Sequence, residues 1–269
     1  MKSDLVFKLQ DYRRLDWNDR SRSSLGTPGC FLKTYEHDGA ERIYYKLSNF
    51  DSYTGFFGHE SVNELIASRL LDLLEIEHVP YTLIHAWISV EGKDYQTWMC
   101  ASPNFKAAGE QKIALDSFYD IRKNDGESPV AFCERMGWHD YLSRMLLVDY
   151  LICNRDRHGA NIEVLYKNDE KARLAPLFDH GLSLLFSCYG EENEIRSFDV
   201  MKDRPTNNYL YSRFPKRNLA FVDRSVPIRS LKESDRDTLF DGLDKVLPDY
   251  HLEKIWEMIW NRWQHYENL

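Results

Sequence analysis

The chain has 269 residues, of which 43% are hydrophobic and 14% aromatic, enough to bury one large core or two smaller lobes. Its formal net charge of -8 argues against a protein that mainly coats nucleic acid, because binding phosphates needs a basic face. No stretch approaches the roughly 20 apolar residues of a membrane span, and the first twenty or so residues contain no apolar run long enough for a signal peptide. We therefore expect a cytoplasmic protein that contacts neither nucleic acid nor membrane directly.

The first hundred residues predict a β-rich unit that contains one helix. Two β-rich runs between residues 24 and 47 flank an Asp-Gly turn signal. From Glu60 the apolar residues recur at helical spacing, and Pro80 limits that segment. Two further β-like runs follow, over residues 81–90 and 95–100. The predicted order is strand, strand, helix, strand, strand.

The remainder of the chain is predicted to be mainly helical. Apolar residues over 141–148 indicate one helix, and a stripe over 252–263 that contains tryptophans indicates another, with its aromatic rings in the core. Between them, residues 161–178 predict a short hairpin that ends just before Asp179. The fold class is therefore α+β, with a boundary between residues 100 and 109.

Polar residues crowd the stretch "NRDRHGAN" over 154–161, between the helix and the hairpin. This density predicts either an elaborate turn, in which Asp and Asn bind local backbone groups, or a functional site. Asp156, Asn161 and Asp179 carry oxygen ligands of the kind that Mg²⁺ prefers. Because Asp179 follows directly after the hairpin, we favour the site. His158 is expected to brace the loop rather than to move a proton.

Groups suited to phosphate lie in the β-rich part. Gly26 and Gly29 stand where two strands meet, so that backbone N–H groups can approach a phosphate without hindrance from a Cβ. Lys46 lies inside the apolar run "IYYKL", where a lysine is unusual unless its ammonium finds a partner. The alternative for Lys46 is an edge-strand lysine that reaches solvent.

Glu60 and Glu64 are candidate partners for Lys46, since they lie four residues apart on one helix face. Either could pair with it, although the helix dipole also favours acids in a first turn. Phosphoryl transfer from ATP needs metal ligands, a cation on the phosphates and a group that orients the attacking hydroxyl. The order of Lys46, the 154–161 loop and Asp179 supplies a candidate for each.

Four stretches together resemble the kinase domain of the HipA family, bacterial serine/threonine kinases that are toxins of toxin–antitoxin pairs. They are "YYKL", "NELIASRLLDLLEIEHVP", "NRDRHGAN" and "LFDHGLSLL". Asp156-x-His158-x-x-Asn161 resembles the catalytic loop of the family, and Asp179 resembles its metal-binding aspartate. The resemblance implies a two-lobed protein-kinase-like fold with a β-rich N-lobe and a mainly helical C-lobe.

The roles of the site residues follow from the same resemblance. Asp156 would orient the substrate hydroxyl, and Asn161 and Asp179 would hold Mg²⁺. Lys46 would bind the ATP phosphates with Glu64 as its preferred partner, and the nucleotide-binding set would also include Gly26, Gly29 and His158.

The resemblance further implies a compact member reduced to the kinase core. Residues 1–22 would be an N-terminal extension, 23–103 the N-lobe with the glycine loop, and 104–269 the C-lobe. The expected activity is ATP- and Mg²⁺-dependent phosphorylation of a protein serine or threonine, and an antitoxin-type partner is a further expectation. The alternatives are a lipid or small-molecule kinase, a nucleotidyltransferase on the same fold, and a pseudokinase that acts as a binding module.

Two segments carry additional expectations. Self-phosphorylation, which the resemblance implies, would fall on Ser23, Ser24 or Thr27 in the glycine loop and would weaken ATP binding. Residues 196–217 contain six cations and two acids, which favours an acidic or phosphate-bearing partner, with a solvated loop as the alternative.

Overall fold

The structure is a computed structural model that describes residues 3–17, 31–39, 41–167, 171–188 and 191–269. In these residues a β-rich N-terminal lobe precedes a mainly helical lobe, which confirms the predicted α+β organisation. The predicted glycine-loop positions lie outside the described residues: Ser23, Ser24, Gly26, Thr27 and Gly29. Among the described helices, none has the length and apolar character needed to cross a membrane.

The N-lobe contains seven strands and one helix in its described residues. They are β1 (Leu5–Asp11), β2 (Lys33–Asp38), β3 (Glu41–Leu47), β4 (Phe50–Asp51), β5 (Gly55–Phe56), α1 (Glu60–Leu73), β6 (Thr82–Val90) and β7 (Lys93–Pro103). Five strands form one sheet in the order β1-β6-β7-β3-β2, in which only the β1–β6 pair is parallel. The predicted Asp-Gly hairpin is β2–β3, and Gly39 adopts the left-handed φ of 61° that such a turn requires.

Strand β1 lies within the segment that the sequence analysis assigned to an N-terminal extension. It is an edge strand of the N-lobe sheet, and its Leu5 pairs with Leu83 of β6. A parallel partner so far along the chain leaves no hairpin signal in the local sequence. The division at residues 22 and 103 stays a prediction.

Helix α1 packs between the sheet and the C-lobe, and its first twelve residues are all buried. Arg69 fixes its C-terminal half by binding the carboxylate of Asp4 at 2.7 and 2.8 Å and the backbone carbonyls of Leu239 and Asp241. A helix buried on every side holds its polar residues at defined positions. It can therefore carry part of a site.

The C-lobe elements follow in order. They are β8 (Gln111–Ala114), α2 (Leu115–Arg122), α3 (Pro129–Met136), α4 (His139–Leu151), β9 (Asp156–Arg157), β10 (Glu163–Tyr166), β11 (Arg173–Leu174), α5 (Glu192–Ser197), β12 (Asn207–Asn208), α6 (Pro215–Asn218), α7 (Asp235–Phe240) and α8 (Asp249–Glu267). The predicted hairpin is β10–β11, and β8 adds a third strand that the sequence did not reveal. Buried Arg262 of α8 donates to the carbonyls of Tyr150 and Val200, so that α8 supports the end of α4.

Candidate active site

A cleft of about 300 Å³ separates the N-lobe sheet from the C-lobe. Strands β2, β3 and β7 form one wall, and the loops before β10 and after β11 form the other. Lys46, Asn161 and Asp179 all line this cleft, so the structure brings together three of the residues that the sequence singled out.

Lys46 lies at the base of the cleft with its ammonium between two carboxylates. Its Nζ donates to Glu64 Oε1 at 2.7 Å and to Asp179 Oδ1 at 2.5 Å, and the residue is only 8% exposed. Burial alone would lower the pKa of Lys46, but the carboxylates of Asp179 and Glu64 outweigh it and raise the pKa well above its usual value. Lys46 is therefore an ammonium over the whole physiological pH range.

The two carboxylates of this cluster differ in their surroundings. Glu64 is fully buried, and its Oε2 accepts the backbone N–H of His180 at 2.8 Å. Burial raises the pKa of Glu64, and Lys46 opposes that effect. Burial would also raise the pKa of Asp179, but Lys46 and then Lys33, 3.9 Å away, lower it far below its usual range. Asp179 therefore carries a full negative charge at the cleft.

Glu60 has a different partner, which decides between the two acids of α1. Its carboxylate accepts from the side chain of Asn49 at 2.8 Å and from the backbone N–H of Asn49 at 3.3 Å. Gly58 packs against it so closely that a Cβ there would lie 2.5 Å from Glu60 Oε2. Glu60 therefore fixes the loop before α1, and Glu64 is the residue that contacts Lys46.

The turn Asp179-His180-Gly181 is held tightly against α1. Asp179 has φ of 58°, a left-handed conformation that non-glycine residues adopt rarely and that is often found at functional sites. A Cβ on Gly181 would lie 3.2 Å from both Lys46 Nζ and Glu64 Oε1. Asn63 of α1 donates to the carbonyl of Gly181 at 3.0 Å. Helix α1 thus fixes the loop that presents Asp179.

The loop after α4 is organised by Arg157, which points inward. Its guanidinium binds the Asp149 carboxylate of α4 at 2.8 and 3.0 Å and donates to the carbonyls of Asn161 at 2.9 Å and Phe178 at 3.3 Å. Arg157 therefore forms a buried ion pair and does not point toward the cleft as a phosphate contact would. Because Phe178 precedes Asp179, this one arginine links the loop of residues 154–161 to the turn that carries the metal-binding candidate.

Asp156 and Asn161 are positioned by hydrogen bonds within the same loop. The Asp156 N–H donates to Asn154 Oδ1 at 3.1 Å, and Asn161 Nδ2 donates to the Asp156 carbonyl at 2.8 Å. The second bond uses the amide nitrogen of Asn161 and leaves its side-chain oxygen as the atom suited to a cation. Asp156 Oδ1 accepts from Asn207 Nδ2 at 3.3 Å.

His158 braces the loop. Its Nδ1 accepts the N–H of Ala160 at 3.1 Å and so caps the short 3₁₀ turn formed by residues 159–161, while its Nε2 lies 3.5 Å from Asp156 Oδ2. His158 is not one of the described residues that line the cleft. Asp156 is likewise not among these lining residues, and a role of His158 in nucleotide binding stays a prediction.

The protein oxygens at the cleft suit a Mg²⁺ ion that also binds phosphate and water, rather than a metal ion held by protein ligands alone. Asp179 and Asn161 supply oxygen atoms, which are the ligands that Mg²⁺ prefers. In the described part of the chain, no group of three or more His, Cys, Asp or Glu residues is arranged to hold a metal. Two oxygen ligands from the protein fit an ion whose remaining ligands are water and phosphate.

Sequence reasoning missed two residues of this cleft. Lys33 pairs with Lys46 across the β2–β3 hairpin, a register that counting back from the Asp-Gly turn would have given. The hydroxyl of Tyr81 accepts the N–H of Asp179 at 3.4 Å. For Tyr81 no local signal exists, because the contact joins residues that are distant in the sequence.

Comparison with solved structures finds the same fold in a kinase. Neither a family model nor a curated protein matches the sequence. The structure of the Helicobacter pylori proinflammatory kinase CtkA matches with a TM-score of 0.58 and 15% identity, covering 94% of this chain and 93% of that chain.

Two further structures match with lower TM-scores. In the HipA, HipB and operator DNA complex from Shewanella oneidensis MR-1, the matched chain has a TM-score of 0.39 and 17% identity, with 91% of this chain and 58% of that chain covered. The Neurospora crassa PAN3 pseudokinase mutant has a TM-score of 0.30 and 12% identity, with 89% and 59% covered.

The match to CtkA extends over nearly the full length of both chains, and at this level of identity it shows the fold. The predicted two-lobed kinase-like fold is confirmed. The chain therefore shares the fold of the kinase CtkA.

Proposed function

We propose that the chain transfers the γ-phosphate of ATP, in the presence of Mg²⁺, to a serine or threonine hydroxyl of a protein. The observation that carries this proposal is Lys46, held between Glu64 and Asp179 at the base of a cleft that Asn161 also lines. A cation fixed by a helical glutamate beside a metal-binding aspartate is what phosphoryl transfer requires. The fold shared with a kinase supports the same reaction class.

Each residue of the cluster has a defined task in the proposed reaction. Lys46 binds the ATP phosphates, and Glu64 keeps its ammonium in place when the phosphates compete for it. Asp179 and Asn161 would hold Mg²⁺, which neutralises the charge that develops on the phosphate oxygens. The fixed φ of Asp179 keeps its carboxylate directed at the cleft without reorganisation.

Asp156 acts on the acceptor. The hydroxyl oxygen attacks the γ-phosphorus, the bond from that phosphorus to the β-phosphate oxygen breaks and ADP leaves, while the hydroxyl proton passes to the Asp156 carboxylate. One oxygen of Asp156 is held by Asn207, which fixes the orientation of the carboxylate. A protein acceptor, an antitoxin-type partner and a cytoplasmic location belong to the same proposal, and the resemblance of residues 154–161 and 177–185 to the HipA family supports them.

Comparing wild type with Asp156→Asn tests the proposal. Asparagine keeps the shape of the side chain and can still accept from Asn207, but it cannot take the hydroxyl proton. With labelled ATP, Mg²⁺ and a library of serine and threonine peptides, we expect transfer to fall by roughly 10² to 10⁴-fold. The Kd for ATP, measured by calorimetry, should change little.

The possible outcomes separate the alternatives. ATP binding without transfer in the wild type would identify a pseudokinase, and label found in lipid or small molecules would move the acceptor out of the protein class. Equal losses of ATP binding and transfer in Asp156→Asn would indicate a structural role for Asp156. Mass spectrometry of the same reactions tests the predicted self-phosphorylation of Ser23, Ser24 or Thr27, and an unmodified loop in active protein would refute it.

A further inference from the structure

The segment that contains β12 is hydrogen-bonded to the catalytic loop along its length. Strand β12 pairs in parallel with β9, which sets Asn207 beside Asp156. The N–H of Asn207 donates to the carbonyl of Arg155 at 2.9 Å, and the N–H of Tyr209 donates to the carbonyl of Arg157 at 3.1 Å. With the side-chain bond from Asn207 to Asp156, these contacts make the segment and the hydroxyl-orienting carboxylate one structural unit.

Five cations from the same segment and from the residue before β9 form what we call the basic surface: Arg155, Lys202, Arg213, Lys216 and Arg217. All except the half-buried Arg155 are exposed. The carbonyl of Arg213 accepts from the N–H of Thr206 at 2.7 Å, directly beside Asn207. Arg155 donates to the carbonyl of Pro205 at 2.9 Å. Arg155 and Arg213 of the basic surface are thus linked to Asp156 through a short series of hydrogen bonds.

The two acids of the segment, Asp199 and Asp203, form no ion pair with these cations in the described residues. Asp199 accepts the backbone N–H groups of Met201 and Lys202, both at 3.0 Å, and Asp203 accepts the N–H of Lys216 at 3.1 Å. Both carboxylates therefore bind backbone donors. In the described ranges, none of the five cations of the basic surface forms an ion pair with a carboxylate.

Two other arginines of the segment have local partners and do not belong to the basic surface. Arg196 pairs with Glu192 at 2.8 Å. Arg204 stacks on the ring of Phe198 at 3.8 Å and donates to the carbonyl of Asp199 at 2.7 Å. The cations of residues 196–217 without such a local partner are Lys202, Arg213, Lys216 and Arg217 within the described residues.

The charge of the basic surface is opposite to that of the whole chain, whose formal net charge is -8. An acidic partner is repelled by most of the protein and attracted at this surface, which directs it toward Asp156. The ring of Phe214 lies 5.9 Å from the Arg213 guanidinium and 5.2 Å from that of Arg217, so both planar groups are partly ordered. Ordered guanidinium groups suit carboxylates, which they bind through two parallel hydrogen bonds.

We propose that the basic surface binds an acidic segment of the acceptor polypeptide, adjacent to the serine or threonine that is phosphorylated. This inference rests on the proposed function and names its substrate class. A polypeptide fits better than a nucleic acid, because five cations on an acidic protein cannot follow a long run of phosphates. The surface also ends at a carboxylate that would act on a hydroxyl.

Direct binding tests the inference without requiring catalysis. The probe is a fluorescent peptide with one serine flanked by Asp and Glu, and its control has Asn and Gln at the same positions. We expect the acidic peptide to bind at least about tenfold more tightly at low salt, with an affinity that falls as salt rises. The double variant R213E/K216E should remove this difference. K8E/K93E, which makes the same charge change at exposed positions of β1 and β7, should retain it.

The outcomes distinguish a failure of the surface from a failure of the proposed function. Equal affinity for the two peptides, or an acidic preference that persists in R213E/K216E, would overturn the inference. Tighter binding of a single-stranded oligonucleotide of equal charge would overturn the choice of a polypeptide. ATP binding and transfer are measured on the same proteins: active enzyme without an acidic preference refutes only the surface, and acidic-peptide binding without ATP binding refutes only the proposed reaction. In active enzyme R213E/K216E should raise the KM for the acidic peptide and leave kcat unchanged.

Discussion

Two buried groups of charged side chains lie on opposite sides of the turn before Asp179, and they differ in how their charges are satisfied. Arg157 is 1% exposed, and its guanidinium is enclosed by the Asp149 carboxylate and by backbone carbonyls. Lys46 instead faces two carboxylates with one ammonium, and this cluster opens into the cleft. The first group is closed within the protein, whereas the second can exchange a partner for a ligand.

This difference indicates which of the two groups belongs to the framework. A buried ion pair stabilises a fold only when good geometry and additional hydrogen bonds offset the loss of hydration, as they do around Arg157. In the Lys46 cluster, Asp179 adopts an unfavourable left-handed conformation. Such strain persists where the surroundings impose it, here through Gly181 and α1. Mutations in the Arg157 group should therefore mainly affect stability, whereas mutations in the Lys46 cluster should mainly affect activity.

The largest expected effect is on activity, at Asp179. Asp179→Asn removes the charge and keeps the shape, and asparagine tolerates a φ of 58° better than most residues. We expect phosphoryl transfer to fall by on the order of 10³-fold or more, because a metal ligand stabilises the transition state by several kcal/mol. The Tm should show a folded protein. Asp120→Asn, at an exposed position of α2, is the matched control, and near wild-type turnover of Asp179→Asn would remove it from the metal site.

The next effect is on stability, at Arg157. Arg157→Met leaves the Asp149 carboxylate buried without its partner, and we expect the free energy of unfolding to fall by roughly 3–5 kcal/mol. Urea denaturation measures this loss. Adding Asp149→Asn to the same chain should recover part of it, since the uncompensated charge is then gone. A loss below about 1 kcal/mol would show that Arg157 does not belong to the framework.

A smaller effect on activity is expected for Glu64. Glu64→Gln keeps the bulk of the side chain but removes the carboxylate that fixes the Lys46 ammonium, so the ammonium is less well placed for phosphate. We expect transfer to fall by roughly 10- to 100-fold. Glu60→Gln, one turn earlier on the same face of α1, is the control because its partner is Asn49. Equal losses in the two variants would show that α1 packing, and not the Lys46 contact, is responsible.

The sequence could predict those parts of the site that depend on local patterns. The β2–β3 hairpin, α1 and the β10–β11 hairpin follow from turn signals and periodicity, and they carry Lys46, Glu64 and the approach to Asp179. The grouping of these residues in one cleft rested on the resemblance to a family. No periodicity could have placed Lys46 beside Asp179, because the contact joins the two lobes.

The features that the sequence did not reveal depend on contacts between distant segments. Strand β1 pairs with β6 and β8 pairs with β10, and neither pair is joined by a tight turn. Glu60 and Glu64 share a helix face, so only the position of Asn49 decides which acid meets Lys46. No local pattern in the sequence predicted the hydrogen bond from Asn207 to Asp156, whereas the surplus of positive charge in the same segment was visible in the sequence.

The smallest expected effect concerns a pair of histidines, of which His251 is buried and His59 half-buried. The rings of His59, before α1, and His251, in the first turn of α8, meet edge to face with centroids 4.5 Å apart. Burial lowers the pKa of both, and His251, which His59 also affects, reaches about 3. The ordinary histidine pKa is about 6.5 in an unfolded chain, so the unfolded state binds more protons between these values. The contribution of this pair to the free energy of unfolding should therefore be fully present above about pH 6.5 and should decrease as the pH falls toward 3.

Because of His251, we expect the free energy of unfolding to be about 2 kcal/mol lower at pH 5 than at pH 7. The measurement is the free energy of unfolding in urea at both values, for wild type and His251→Phe, which keeps an aromatic ring in place. Burial raises the pKa of Glu60 and Glu64, and their effect on stability has the opposite sign, so the difference between the two proteins isolates the histidine. His37→Phe, at an exposed position of β2, is the control and should keep the wild-type dependence. The same pH dependence in His251→Phe as in wild type would show that protonation of this pair does not separate α8 from the start of α1.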